Sequence, residues 1–317
     1  MEAVVIRDGA LSVEHRPDPV PGDTELLVAV RAAGLNGADM AQLRGRYPAP
    51  QGVPADVPGL ELAGVVVGVG RQVRRFSPGD RVMAVVAGGG QASMACVDES
   101  HALAVPDPLG WPEAGGFPEV FSTAFDALFD QAGLAIGERL LVTGAAGGVG
   151  TAAVQLGAAA GAEVVASVRD PDRREAVARL GATAVIDPDE VGDHGPYDVV
   201  LELVGAASLA GAFGALAGRA RVVVIGVSGG GSAFTLDLLQ LMGRRARIGG
   251  STLRARDRAE KARVAAGVAA HVLPLVRSGR VTVPVCETFP LGEAAAAYDR
   301  FAQGGKLGKI VLVTGES

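Results

Sequence analysis

Residues 139–168 hold the feature that most narrows what this chain can fold into. An apolar run, "RLLVTG", passes through "AAGGVG" into the alanine-rich "TAAVQLGAAAG" and then into a second apolar run, "AEVVASV". Further short apolar runs follow at 184–187 ("AVID"), 197–204 ("YDVVLELV"), 221–227 ("RVVVIGV") and 247–252 ("RIGGST"), with amphipathic stretches such as "PDRREAVARLG" between them. Runs this short and this apolar are strands buried on both faces. Alternation with helices predicts a parallel, doubly wound α/β sheet.

The glycine junction has a physical reading. Against the pattern G-x-G-x-x-G, Ala145 stands at the first glycine, and Gly147 and Gly150 stand at the other two. A missing side chain at Gly147 lets backbone approach a pyrophosphate, and one at Gly150 lets the helix pack on the strand. The helix is expected from Gly148, with the Gly148 and Val149 amides turned toward phosphate oxygens. The predicted ligand is a dinucleotide; the plainer reading is a tight turn with no ligand. The second strand then selects the cofactor. Its end reads "ASVRDPDRRE", with Val168 where an acidic residue would accept from a ribose hydroxyl. Ser167, Arg169 and Arg173 are placed to meet a 2′-phosphate, the two arginines sharing a face (i, i+4) if the segment coils. NADPH is therefore expected over NADH. Asp170 counts against this unless it caps the next helix, and the arginines are otherwise ordinary surface residues.

The rest of the chain sorts around this core. "EAVVI", "LLVAVRAAG", "AGVVVGVG" and "DRVMAVV" in the first third are β-branched runs broken by Gly, Pro and Asp, which suggests a mostly antiparallel β domain. Helical spacing begins after Trp111 in "PEVFSTAFDALFDQAGL". With 317 residues, 49% of them hydrophobic, the chain suits two domains with substantial cores. No apolar run reaches the roughly 18 residues of a membrane span, and the N-terminus lacks the basic-then-apolar pattern of a signal peptide. Two cysteines, Cys96 and Cys286, make neither a disulfide framework nor a four-thiolate metal site, and a cytoplasmic location is expected. Net charge is −6 and aromatic content 4%, which argues against nucleic-acid binding. Two basic clusters stand out, "GRRAR" (243–247) and "RARDRAEKAR" (254–263); the second alternates in sign like a solvated helix face.

Taken in order, "VRAAGLNGADMAQLRGRYP", "PGLELAGVVVGVG", "FSPGDRV", "FPEVFSTAFDAL", "LLVTGAAGGVGTAAVQLGAAAGAEV", "LGATAVID", "YDVVLELVG" and "GKLGKIVL" resemble the zinc-free quinone oxidoreductases, the zeta-crystallin-like branch of the medium-chain dehydrogenase/reductase superfamily. The resemblance covers nearly the whole chain. It implies a GroES-like, mostly antiparallel β domain from residues 1–112 and 279–317. A Rossmann domain would span 113–278, with the active site in the cleft between the two. It also implies a homodimer with the strand near "RIGGST" at the interface. Zinc enzymes of the superfamily hold their metal with three side chains. Here Asn36 and Leu60 stand at the first two ligand positions and Glu119 is near the third, so no metal is expected.

Loss of the metal restricts the chemistry that the resemblance implies. NADPH would reduce a quinone or another activated conjugated carbonyl, whose delocalised oxygen hydrogen-bond donors alone can stabilise. Asn36 would lie beside the nicotinamide and Tyr47 would line the substrate cleft, the two supplying the candidate donors. Thr123 would sit under the nicotinamide or its phosphate, Tyr197 would reach the adenine side, and Gly226, Val227, Ser228 and Leu307 would complete the cofactor site. Plainer roles remain open: a turn residue for Asn36, cleft lining for Tyr47, core packing for Thr123 and Tyr197. An enoyl or alkenal reductase of a biosynthetic pathway and a non-catalytic NADPH-binding protein are the competing functions.

Overall fold

The computed structural model describes residues 1–227, 229 and 231–315. The chain divides into two compact units: Met1–Ser122 with Leu253–Ser317, and Thr123–Thr252.

In the first unit, β1 (Glu2–Arg7) and β2 (Ala10–His15) form a hairpin. A larger sheet is built from β3 (Glu25–Gly34), β4 (Glu61–Val69), β5 (Arg81–Val85), β6 (Met94–Asp98) and β7 (Ala102–Ala104). Its long strands alternate apolar residues inward, so Leu26, Val28 and Val30 of β3 meet Leu62 and Val66 of β4 in one core. A short helix, α1 (Gly37–Leu43), follows β3, and α2 (Trp111–Gly115) and α3 (Pro118–Phe125) follow the sheet.

The second unit is a six-stranded parallel sheet. Its elements are β8 (Arg139–Val142), α4 (Gly148–Ala159), β9 (Glu163–Ser167), α5 (Pro171–Ala178), β10 (Ala184–Ile186), β11 (Tyr197–Glu202), α6 (Ala206–Phe213), β12 (Leu216–Val224), α7 (Leu238–Arg244) and β13 (Arg247–Gly250). The strand order is β10-β9-β8-β11-β12-β13, with every pairing parallel. Numbered by appearance this is 3-2-1-4-5-6, the doubly wound order whose switch point lies between β8 and β11. The predicted α/β sheet and its antiparallel companion are both present.

The chain then adds α8 (Arg258–Gly267), α9 (Leu273–Arg277), β14 (Val285–Pro290), α10 (Ala294–Gln303) and β15 (Lys309–Val313). β15 pairs antiparallel with β3, setting Val311 opposite Gly34, and α10 packs Ala297 and Tyr298 into a core with Val4 and Leu35. Residues 113–122 and 253–278, read from sequence with the α/β domain, cluster instead with the first unit. Side chains just before and at the start of α8 give the reason. Arg254 Nε donates to Ala87 O at 2.6 Å and Nη2 to Gln42 Oε1 at 2.7 Å, while Arg258 Nε donates to Asp98 Oδ2 at 2.6 Å. Arg254 is thus 3% exposed, not part of a solvated face; α8 begins only at Arg258. No helix among the described residues is long and apolar enough to cross a membrane.

Candidate active site

The glycine junction of the second unit has the form of an open anion cradle. Gly147 is the N-cap of α4, and no side chain caps that helix, so its first-turn amides are open to an outside acceptor. No acidic residue stands in the first turn to repel an anion. Gly147, Gly148 and Val149 are half-buried, and Gly150 is buried. A Cβ on Gly150 would fall 2.5 Å from Gly144 O, so only glycine allows α4 to lie this close to the loop. At the switch point, Thr143 Oγ1 donates to Glu202 Oε1 at 3.0 Å, and the same oxygen accepts from Val204 N and Gly205 N at 2.6 and 2.8 Å. These bonds tie the ends of β8 and β11 together beside the cradle. The residues present fit a dinucleotide.

The second strand end is partly as expected. Val168 is buried, Ser167 is 3% exposed, and Arg169 is exposed. Asp170 caps α5, accepting from Asp172 N at 3.1 Å. Because α5 begins at Pro171, Arg169 lies before the cap and does not share a helical face with Arg173. Arg173 Nε is 3.6 Å from Asp170 Oδ2. Arg174, which the sequence reading passed over, donates Nε to Val168 O at 3.1 Å and Nη2 to Asp187 Oδ2 at 2.5 Å, locking the strand end.

Tyr197 has no adenine-side role here. It is fully buried in the sheet core, and its hydroxyl donates to Val191 O at 2.8 Å. A phenol with its one hydrogen spent inside a core is a packing residue. Thr123 is buried in α3. Gly226 follows β12, with its N–H on Glu202 O at 3.3 Å, and Val227 is exposed. Leu307 is half-buried in the loop before β15. Ser228 lies outside the described residues.

The first unit holds a buried charged cluster that spacing alone did not announce. Lys309, at the start of β15, donates to Leu35 O at 2.6 Å and Asn36 Oδ1 at 2.7 Å and forms an ion pair with Glu61 Oε1 at 2.6 Å. Lys309 is 3% exposed and Glu61 is fully buried. Asn36 Nδ2 donates to Glu61 Oε1 at 2.9 Å and to Gly34 O at 3.4 Å. Both amide hydrogens of Asn36 are therefore committed, and it positions neighbours instead of offering a free donor. Asp39 closes the ring, Oδ2 accepting from Asn36 N at 2.8 Å and Oδ1 from Gly59 N at 3.1 Å. Burial pushes the Asp39 carboxyl up to about 6 against those two bonds.

Glu119 of α3 joins through its backbone, donating N–H to Glu61 Oε2 at 2.8 Å. Its own Oε2 is shielded from solvent and has no partner among the described residues. Burial first, then the Glu61 charge, pushes this carboxyl up to about 8, against Lys309. Tyr47 lies under Arg254, whose guanidinium carbon is 5.1 Å from the ring centre and whose Nη1 donates to Tyr47 O at 3.0 Å. Its hydroxyl makes no hydrogen bond among the described residues. Burial and then Glu119 raise its pKa, while Arg254 lowers it. Among the described residues no group of three His, Cys, Asp or Glu side chains is placed to hold a metal ion.

A doubly wound sheet with an uncapped glycine turn, carried on one chain with a GroES-like sheet, defines a dinucleotide-dependent oxidoreductase. Comparison with known proteins carries this further. The family described as "Alcohol dehydrogenase GroES-like domain" matches residues 22–130, and the one described as "Zinc-binding dehydrogenase" matches 148–266. The quinone oxidoreductase of Mus musculus is 29% identical over 308 residues, 93% of this chain and 91% of that protein. An alcohol dehydrogenase superfamily protein from Novosphingobium aromaticivorans matches with TM-score 0.88 and 30% identity over 99% of this chain and 100% of its own. A mycobacterial protein solved in complex with NADPH matches with TM-score 0.88 and 25% identity, over 99% and 100% of the two chains. The chain belongs to the medium-chain dehydrogenase/reductase superfamily, in its quinone oxidoreductase branch, and is an oxidoreductase enzyme.

Proposed function

We propose that this enzyme transfers hydride from NADPH to a quinone or another activated conjugated carbonyl, without a catalytic metal. The observation that carries the reading is the Lys309–Glu61–Asn36 cluster. Asn36 and Leu60 stand where zinc relatives place metal ligands, and beside them Glu61 is already neutralised by an ammonium at 2.6 Å. A carboxylate satisfied in this way has little left to offer a divalent cation. Likeness to the mouse quinone oxidoreductase and to the NADPH-complexed mycobacterial protein supports the choice of acceptor and cofactor.

The first-turn amides of α4 and Gly147 would hold the pyrophosphate, and Arg169 with Ser167 and Arg173 the 2′-phosphate. Within the second unit, Thr123, Gly226 and Val227 would line the nicotinamide end, and in the first unit Lys309 and Glu61 hold Asn36 in place. Bound NADPH supplies the hydride. The open Tyr47 hydroxyl would donate to the acceptor oxygen as negative charge develops there. The exposed edge strand β13 and the exposed Leu238, Leu239 and Met242 of α7 favour a homodimer, which sedimentation at varied concentration tests.

The test of function is NADPH oxidation against a panel of quinones, enones and enals. Turnover of at least one class is expected. Tight NADPH binding with turnover of none would make this a cofactor-binding protein without that activity.

A further inference from the structure

The donors around Glu119 can be counted. Lys309 donates to Leu35 O and Asn36 Oδ1 and is ion-paired with Glu61 Oε1 at 2.6 Å. Asn36 has spent both amide hydrogens on Glu61 and Gly34. The Gly59 N–H and the Asn36 N–H belong to Asp39. Arg254 directs its guanidinium to Ala87 O, Tyr47 O and Gln42 Oε1. None of these bonds goes to Glu119, and its Oε2 is shielded and unpartnered among the described residues. Glu61 and Asp39 face it as carboxylates, and Lys309 and Arg254 face it as cations. Lys261 of α8 senses its charge as well, and its own ammonium is disfavoured by burial.

An ionised carboxylate in such a place would be an uncompensated charge, so the neutral acid is the favoured form. The burial that pushes this carboxyl up to about 8 agrees with the geometry. A neutral carboxyl is a proton donor. Glu119 is half-buried as a residue although its Oε2 is shielded, and the Tyr47 hydroxyl that senses its charge makes no hydrogen bond among the described residues.

We propose that Glu119 is the proton donor of the reaction, its carboxyl hydrogen passing to the oxygen of the acceptor as the acceptor is reduced. This rests on the reading of the enzyme as a reductase of activated carbonyls. The balance closes. The acceptor gains two electrons and a hydrogen as hydride from NADPH, which leaves as NADP⁺. The negative charge reaches the conjugated oxygen, and the O–H bond of Glu119 breaks as the O–H bond of the hydroquinone or enol forms. Water then reprotonates the Glu119 carboxylate.

Two measurements on the whole protein test this. Infrared spectra taken against pH, without cofactor, should show a protonated-carboxyl band that fades between about pH 7 and pH 9 and is missing in Glu119→Gln. With NADPH and the best quinone or enone, kcat of the unmodified enzyme should fall as pH rises through about 8. Glu119→Gln should lose roughly 10²- to 10⁴-fold in kcat, change acceptor KM only a few-fold and lose that pH limb. Glu119→Asp, which keeps an acid, should recover part of the rate, and circular dichroism and thermal unfolding check that both variants fold. A Glu119→Gln enzyme with unchanged kcat and pH profile, or a Glu119 already ionised at pH 7 in the infrared, overturns the assignment while the reductase reading stands. Failure of the unmodified enzyme to turn over any acceptor overturns the reductase reading and the donor role with it, whatever the infrared band shows.

Discussion

Lys309 Nζ and Glu61 Oε1 lie 2.6 Å apart, with Lys309 3% exposed and Glu61 fully buried. One comes from the last strand and the other from the start of β4. Burying two charges is costly, and the pair persists because each charge is also hydrogen-bonded. Lys309→Met should leave Glu61 uncompensated and cost about 3–5 kcal/mol in urea unfolding. Combining it with Glu61→Leu should recover much of that loss. A single Lys309→Met change costing under about 1 kcal/mol would show that the pair carries no structural weight.

At the glycine junction, two substitutions separate binding from folding. A Cβ on Gly147 would meet only Gly144 O, at 3.3 Å, so Gly147→Val should fold yet lose most dinucleotide affinity in calorimetry. A Cβ on Gly150 would lie 2.5 Å from Gly144 O and 2.6 Å from Ala145 Cα, so Gly150→Val should destabilise the second unit itself. If Gly147→Val bound dinucleotide as tightly as the unmodified protein, the junction would be only a turn.

How far this was legible depended on the range of the interactions. The period and brevity of the apolar runs displayed the doubly wound sheet, and the helix start at Gly148 followed from the glycine pattern. Tyr197 was misread because a motif position does not reveal that a hydroxyl is spent on Val191 O within the core. Arg169 and Arg173 were set on one helical face because the sequence does not say that Asp170 caps α5 between them. Arg254 looked solvated amid alternating charges, yet its partners Gln42, Tyr47 and Ala87 come from far along the chain. Lys309 and Glu61 each carried a faint local signal, a charge inside an apolar strand, but only the fold pairs them.

The arginines also bear on cofactor choice. Arg173 already faces Asp170 at 3.6 Å, whereas Arg169 is exposed ahead of the helix cap. Arg169→Ala should weaken NADPH binding roughly tenfold, about 1.4 kcal/mol, and Arg173→Ala should weaken it less. NADH affinity should stay within about twofold, since only NADPH carries the 2′-phosphate. Equal affinity of the unmodified protein for NADH and NADPH would contradict the assignment and direct attention to Asp170.

Stability should carry the mark of the neutral Glu119. Its carboxyl is raised from 4.5 to about 8 in the folded chain, so between those values the folded state keeps a proton that the unfolded state has lost. Its contribution therefore falls as pH rises through that window, by up to about 1.4 kcal/mol per pH unit, and is flat above it. Asp39, raised from 3.8 to about 6, adds a loss of the same sign at the acidic end. His101, lowered chiefly by burial, acts in the opposite sense, so the informative quantity is unmodified protein minus Glu119→Gln. That difference should decline from pH 6 to pH 8 in urea titrations. A difference independent of pH would mean Glu119 ionises as an ordinary surface carboxyl does.

The most direct test of the account is turnover by metal-free enzyme. Protein treated with a strong chelator, shown by elemental analysis to hold no zinc, should oxidise NADPH with its best quinone or enone acceptor at the rate of the untreated enzyme. Stoichiometric zinc in the untreated protein, with activity lost on its removal and restored on its return, would contradict the account, because the Lys309–Glu61 pair would then not keep a metal from this site.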